Sequence, residues 1–226
     1  MSYSYGKGWN WILVIFGILL FLVLIAILPP YSFSRQGSAR NAALNNAKGI
    51  AQGLIDFKNE YGTYPCEFTR EVFESNGYKN LPVGNSANAY LAQLMASGAI
   101  DSETFFYVPG VSGYFKGDDE IGSPEKLLAK GENGFSYVMT KDGEPLTDTK
   151  SKTPLVLAAL IRGGEDPTFD PDIFAGYCVY GTADGSGLYG KIDDEGRALT
   201  NDGKYLFAIG PDSHFGDDIP AVKLPR

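Results

Sequence analysis

The chain has 226 residues, and its 27 acidic side chains against 19 Lys and Arg give a net charge of −8. This acidic balance argues against binding to nucleic acid and against electrostatic docking on anionic lipid. Its 28 glycines, 14 tyrosines and 14 phenylalanines favour a body rich in turns and strands.

Residues 9–28 are an uncharged, mostly apolar stretch near the start of the chain. A helix of this length spans roughly 30 Å, the thickness of a bilayer core. Trp9 at its N-terminal edge favours the membrane interface, and Pro29-Pro30 end it. A cleaved signal peptide has a shorter apolar region, and a helix in a soluble core has a polar stripe. The stretch therefore predicts a transmembrane helix that contacts the lipid bilayer, after a short leader at residues 1–8.

A hinge and a long amphipathic helix are predicted next. Residues 29–37 contain two prolines, two serines and a glycine, which disfavour a regular helix. From Ser38, the predicted N-cap, apolar residues recur every three or four positions up to Tyr61, which predicts a helix. Gly62 and Pro65 end this helix. Its apolar stripe consists of Ala43, Ala47, Ile50, Leu54, Phe57 and Tyr61.

The remaining residues predict short helices followed by strands. Helices are expected at 69–75 and 86–97, and strands at 135–140, 153–161, 177–182, 187–192 and 205–209. Asp184-Gly185 between two strand-like runs is typical of a hairpin. The predicted fold class is α+β, in which a transmembrane helix and a hinge precede one domain at 38–226. In that domain the long helix packs on a small antiparallel sheet.

No motif in the sequence predicts catalysis. The single histidine, His214, has no pattern of Ser and Asp partners for a triad and cannot form an ordinary zinc site alone. The chain is therefore predicted not to be an enzyme and to need no cofactor. Cys66 and Cys178 lack the spacing of a metal site, and a disulfide or two buried free thiols are both compatible with the sequence.

Acidic residues cluster in the predicted loops, where carboxylates and carbonyls are ligands that Ca²⁺ prefers. An EF-hand register from Asp184 fails, because Leu188 and Tyr189 occupy positions that need an oxygen ligand and a glycine. Calcium in another loop geometry and plain solvated turn charges remain the two interpretations. The clusters are Asp118-Asp119-Glu120, Glu165-Asp166, Asp170 with Asp172, Asp193-Asp194-Glu195 and Asp217-Asp218.

The order of anchor, hinge, long helix and sheet resembles type IV pilins and the pseudopilins of type II secretion systems. The closest likeness is in residues 39–65 (ARNAALNNAKGIAQGLIDFKNEYGTYP). Helices of this kind in that family are rich in Ala and Asn and end in a Gly-x-Tyr-Pro exit, here Gly62-Thr63-Tyr64-Pro65. Pro29-Pro30 stand near the position where pilin helices carry a proline. Residues 153–157 and 179–186 (VYGTADGS) look like the late strands and hairpin of pseudopilin-like proteins.

The resemblance implies a structural protein of a type II secretion or pilus-like envelope apparatus, with other pilin-like subunits or secretion-apparatus proteins as partners. It also implies a single-pass location in a bacterial inner membrane. The N-terminus would be cytoplasmic, and the domain would lie outside, where a Cys66–Cys178 disulfide could form. The residues to which it gives structural roles are Trp9, Pro29, Pro30, Tyr64, Pro65, Cys66 and Cys178.

One departure from the family keeps an alternative open. Prepilins carry a glutamate five residues into the mature helix, whereas residues 9–28 contain no acidic side chain. The alternative is a membrane-tethered binding ectodomain of pilin-like fold that does not assemble into filaments. A tethered hydrolase is a distant third hypothesis.

Overall fold

The computed structural model describes residues 8–78 and 80–226, with the backbone alone at 8–10, 12, 24–34 and 125. Its helices are α1 (Gly8–Tyr61), α2 (Glu67–Ser75) and α3 (Ala87–Ala96), with short 3₁₀ helices at Glu103–Phe106 and Pro124–Lys126. Its strands are β1 (Phe135–Thr140), β2 (Pro154–Ala158), β3 (Leu160–Arg162), β4 (Thr168–Phe169), β5 (Tyr177–Thr182), β6 (Gly187–Ile192), β7 (Ala198–Leu199) and β8 (Pro220–Lys223). The predicted leader lies outside the described residues apart from Gly8.

Helix α1 runs without interruption for 54 residues. The predicted hinge at 29–37 is therefore wrong, and so is the predicted helix start at Ser38. A proline removes one backbone N–H but its fixed φ is close to the helical value, so flanking turns can carry a helix through it. The predicted end is right, since Gly62 follows Tyr61 with a φ of 77°, and its N–H donates to the carbonyl of Lys58 at 2.8 Å. Such a left-handed residue is the usual end of a helix.

The predicted membrane span also needs correction. Among the described residues, no helix combines the length and the apolarity that crossing a bilayer requires. The predicted single-pass inner-membrane location is therefore not supported, and the predicted lipid contact through residues 9–28 stays a prediction.

The predicted fold class is wrong as well. In place of an anchor, a hinge and a separate amphipathic helix, the structure has one long helix whose second half packs on a curled, six-stranded sheet. The strand order is β7-β6-β5-β2-β1-β8, and each neighbouring pair is antiparallel. A separate two-stranded sheet pairs β3 with β4.

The second half of α1 lies against β5, β6 and β2. Five residues of the predicted stripe are fully buried, whereas Tyr61 is half-buried: Ala43, Ala47, Ile50, Leu54 and Phe57. Helix and sheet approach closely at Gly181 of β5, where a Cβ would overlap the Ala47 carbonyl oxygen and lie 2.9 Å from the Ala51 Cβ. Small residues on both elements thus set the distance between α1 and the sheet.

Two strand predictions differ from the structure. The predicted strand at 153–161 divides into β2 and β3, because Ala159 between them takes a left-handed φ of 68°. The predicted strand at 205–209 is reduced to a single bridge between Tyr205 and Leu199. Instead β8, in the tail that showed no period, pairs with β1 from Tyr137 to Thr140. The β5–β6 hairpin around Asp184-Gly185 agrees with the prediction.

Substitution of Gly181 tests the close approach of α1 to the sheet. We expect Gly181→Ala to lower the free energy of unfolding by about 1–3 kcal/mol, because the added methyl group must push α1 away from β5. Gly122→Ala is the control, since a Cβ at Gly122 meets nothing within 4 Å. Urea unfolding of both variants measures the difference, and equal midpoints would contradict the proposed close contact.

Candidate functional site

The N-terminal half of α1 presents a long apolar surface. Described side chains along it are 49–70% exposed, for example Trp11 at 70%, Phe16 at 67% and Leu20 at 54%. They point to all sides of the helix, since residues 13–16 and 18–23 are each consecutive and exposed. No charged residue occurs from Trp9 to Ser34. A helix that is apolar all round is normally buried by something, and apolar patches of this size mark interaction sites.

Arg40 fixes α1 to the sheet near the point where the helix leaves the body. Its guanidinium carbon lies 4.7 Å from the ring centre of Tyr177 and 5.2 Å from that of Tyr189. The two rings meet edge to face at 5.5 Å, and the Nε of Arg40 is buried without a hydrogen-bond partner. Cation–π attraction, strengthened by desolvation, therefore holds this guanidinium. The nearby Gln36 amide adds a hydrogen bond of 2.7 Å to the backbone carbonyl of Asp172.

The Gly-x-Tyr-Pro exit joins the other end of α1 to strand β1 of the sheet. Tyr64 and Pro65 are buried, and the Pro65 carbonyl accepts a hydrogen bond of 3.1 Å from the hydroxyl of Tyr137 on β1. The ammonium group of Lys58 lies 4.5 Å from the Tyr64 ring centre. Burial raises the pKa of Tyr64. The roles predicted for Tyr64 and Pro65 thus fit the contacts of a structural anchor.

Both cysteines are buried free thiols, so the structure holds the second of the two alternatives left open by the sequence. Cys66 belongs to a buried polar network in which its N–H donates to the hydroxyl of Thr69 at 2.9 Å. Gln93 accepts from that hydroxyl at 2.6 Å and donates to the Cys66 carbonyl at 3.1 Å. Cys178 on β5 is fully buried, and burial raises the pKa of its thiol to about 12. A thiol of this kind is inert as a nucleophile.

A group of carboxylates that the sequence did not single out is brought together by the fold. Glu103, Asp118 and Glu132 each place an oxygen within 4.8 Å of the others. Glu103 and Glu132 are buried, with exposures of 0% and 4%. The sequence places Asp118 in an acidic loop, but it does not mark Glu103 or Glu132, because these two residues lie 29 positions apart and no local pattern joins them.

Backbone groups already satisfy much of this carboxylate group. Glu103 accepts from the N–H groups of Leu128 at 3.0 Å and Asp119 at 2.9 Å, and Glu132 accepts from that of Ala129 at 2.7 Å. Burial and, next, the charge of Glu103 raise the pKa of Glu132. Hard cations such as Ca²⁺ prefer oxygen ligands of this type. Among the described residues, these three are the ones that could hold a metal. Their hydrogen bonds to backbone N–H groups also give them a structural role in the 103–132 segment.

His214 lines a shallow cleft of about 320 Å³ near the C-terminal end of the chain. Burial lowers the pKa of His214, while the charge of Asp202 acts in the opposite direction. The Lys150 ammonium donates to the carbonyls of Pro211 and Ser213 at 2.8 and 2.6 Å and holds the loop in place. The lining of the cleft combines polar residues such as Asp202 and Lys204 with apolar ones such as Ile209.

The residues predicted to have structural roles occupy separate places. Trp9, Pro29 and Pro30 lie on the N-terminal half of α1, and their side chains are outside the described part of the chain. Tyr64, Pro65 and Cys66 lie together at the helix exit, and Cys178 lies on β5. The Arg40–Tyr177–Tyr189 contact was missed, because cation–π pairs between distant elements leave no local signal in a sequence.

The raised pKa of Glu132 predicts a pH-dependent effect of its substitution. A carboxyl whose folded pKa is raised binds more protons in the folded state, so its contribution to stability falls as the pH rises above its unfolded value of about 4.3. We expect Glu132→Gln to gain stability relative to the unsubstituted chain between pH 4 and pH 7. Thermal unfolding across this range measures the gain.

The control for this prediction is Glu132→Ala, which also removes the charge but loses the acceptor for the Ala129 N–H. We expect it to be less stable than Glu132→Gln at every pH, because the partly buried Ala129 N–H is left without its acceptor. A difference between Glu132→Gln and the unsubstituted chain that does not change with pH would contradict the assigned cause.

No protein-family model matches the chain, and neither does any curated protein or solved structure. The resemblance to pilins and pseudopilins is therefore carried by the residues quoted for it alone.

Proposed function

We propose that the chain is a pilin-like structural subunit that assembles with other copies through the N-terminal half of α1. The observation that carries this proposal is the exposed, uncharged and all-round apolar surface described from Trp11 to Val23. Burial of such a surface is the dominant favourable contribution to most protein association.

The shape of this surface favours copies of the same helix as its cover. A groove on a globular partner covers one side of a helix, whereas this surface is apolar on every side. Helices packed side by side in the core of an array cover one another all round. About 40 Å of helix separates Gly8 from Gln36, the first described residue of α1 that bonds to the body. That length allows the cores of several copies to overlap.

The rigid attachment of α1 also suits an assembling subunit. Arg40 near the base of the body and Pro65 at the opposite end of the packed half hold the helix in one direction relative to the sheet. Each copy therefore presents its body at the same angle and distance from the core, which an ordered array requires. The pilin-like pattern of residues 39–65 supports the same interpretation.

Charged residues within the apolar surface test the proposal. We expect the full chain to form ordered species many times its monomer mass of 24.5 kDa. Phe16→Glu/Leu20→Glu should be monomeric, because the carboxylates would have to be buried in the core without partners. Analytical ultracentrifugation gives the mass, and negative-stain electron microscopy shows whether the assemblies have a constant diameter.

Ile161→Glu/Ile209→Glu is the matched control, since these residues of the body are 64% and 55% exposed and two apolar side chains again become acidic. It should leave assembly unchanged. A monomeric unsubstituted chain, amorphous aggregates without constant diameter, or equal loss of assembly in the control would each overturn the proposed function.

A further inference from the structure

Charge is divided sharply along the chain. Residues 1–55 contain Lys7, Arg35, Arg40 and Lys48 and no acidic residue, so all 27 acidic residues occur from Asp56 onwards. The remaining 15 Lys and Arg residues share that second part with them. The first part therefore carries a net charge of +4, and the second part carries −12. Such a division gives one molecule two surfaces of opposite potential.

The outward face of α1 belongs to the positive surface. Five polar residues on this face recur at spacings of three and four, opposite the buried stripe, and all are exposed: Ser38, Asn41, Asn45, Lys48 and Gln52. Arg35 is exposed just before them. The face offers ammonium, guanidinium and amide N–H donors, and its first carboxylate is that of Asp56, which accepts a hydrogen bond of 3.4 Å from the Gln52 amide. Carboxylates are the acceptors that such donors bind most strongly.

The opposite end of the body carries a compact negative surface. The β1–β8 pairing of Thr140 with Pro220, and the hydrogen bond of the Lys141 N–H to the Ile219 carbonyl at 2.8 Å, bring two acidic turns together. These turns contain Asp142, Glu144, Asp217 and Asp218, which we call the acidic end, beside Lys141, which pairs with Glu165 at 3.3 Å. Among the described residues, none of the four forms an ion pair within 4.0 Å, and three of them are exposed, with Asp218 half-buried.

The two surfaces lie at different levels along α1. Tyr177 and Tyr189 contact Arg40 at the base of the body. Strand β5 runs in the same direction as α1, because Tyr177 at its start lies beside Arg40 and Gly181 further along lies beside Ala47 and Ala51. Strand β1 runs in the same direction as β5, because each is antiparallel to β2. The end of β1, with the acidic end beyond it, therefore lies towards the C-terminus of α1.

We infer that the acidic end of one copy binds the outward face of α1 in a neighbouring copy, around Arg35 and Lys48. This inference rests on the proposed assembly and specifies the contact between bodies within it. Because the two surfaces are different, the contact is heterologous, and a repeated heterologous contact that does not close into a ring gives an open filament. Opposite potentials on the two surfaces also steer encounter and fix the register of the copies.

Reciprocal charge reversal tests the inference in the full chain. The critical concentration for assembly, measured by pelleting, should rise about tenfold or more for Arg35→Glu/Lys48→Glu and for Asp217→Lys/Asp218→Lys, because each variant faces like charges across the contact. The variant with all four substitutions regains opposite charges and has the net charge of the unsubstituted chain. It should regain the unsubstituted critical concentration. Higher salt should weaken assembly of the unsubstituted chain, since exposed charges are screened.

Lys116→Glu/Lys130→Glu is the matched control, because both side chains are exposed and the change in net charge is the same as in the first variant. It should assemble normally. Carbodiimide cross-linking of mixed ¹⁴N and ¹⁵N copies should also join Lys48 of one copy to the acidic end of another. Thermal unfolding of each variant confirms that its body is folded.

The outcomes distinguish a failure of this inference from a failure of the proposed function. If the unsubstituted chain does not assemble, both fail. If Phe16→Glu/Leu20→Glu abolishes assembly but either reversed pair assembles normally, the proposed function stands and the inference is overturned. Failure of the fourfold variant to recover, or an equal effect of the control, also overturns the inference.

Discussion

The structure depends on the close packing of one half of α1 against the sheet. Ala47 and Ala51 on the helix and Gly181 on β5 allow the two backbones to approach, so the larger residues Ile50, Leu54 and Phe57 can be fully buried. Protein interiors are packed as tightly as organic crystals, and this leaves little freedom in the position of the helix. The direction in which the other half of α1 leaves the body follows from this packing.

Different interactions hold the two ends of the packed half. At the base, Arg40 contacts Tyr177 and Tyr189, and a charge is buried against aromatic faces. At the other end, the Gly62–Pro65 exit turns the chain and binds Tyr137 on β1. Neither contact forms a reactive arrangement. Both restrain the orientation of a long helix. A fixed helix direction is a requirement of the proposed structural subunit, whereas a binding or catalytic surface depends on it less.

Local features of the sequence predicted the elements whose cause is local. The spacing of Ala43 to Phe57, the glycine at position 62 and the Asp184-Gly185 hairpin each act over a few residues. The features that were missed depend on tertiary contacts. Strand β8 has no period of its own and exists because β1 offers an edge, and Glu103 meets Glu132 because the chain folds back between them. At Pro29-Pro30 a local rule was overridden, since the helix continues through both residues.

The apolar and the charged parts of α1 have complementary effects in the proposed assembly. Hydrophobic burial is strong but has no direction, so the residues from Trp11 to Val23 would bring helices together without deciding their relative height. Charge pairs are weak but specific. Screening makes each exposed pair weak, whereas opposite potentials on the two surfaces select one register of the copies. No acidic residue precedes Asp56, so Arg35 and Lys48 have no carboxylate in the preceding or next turn of the helix with which to form an ion pair. Arg35 and Lys48, which are both exposed, would therefore be available for carboxylates on a neighbouring body, and in the proposed assembly this would couple assembly of the core to ordering of the surface.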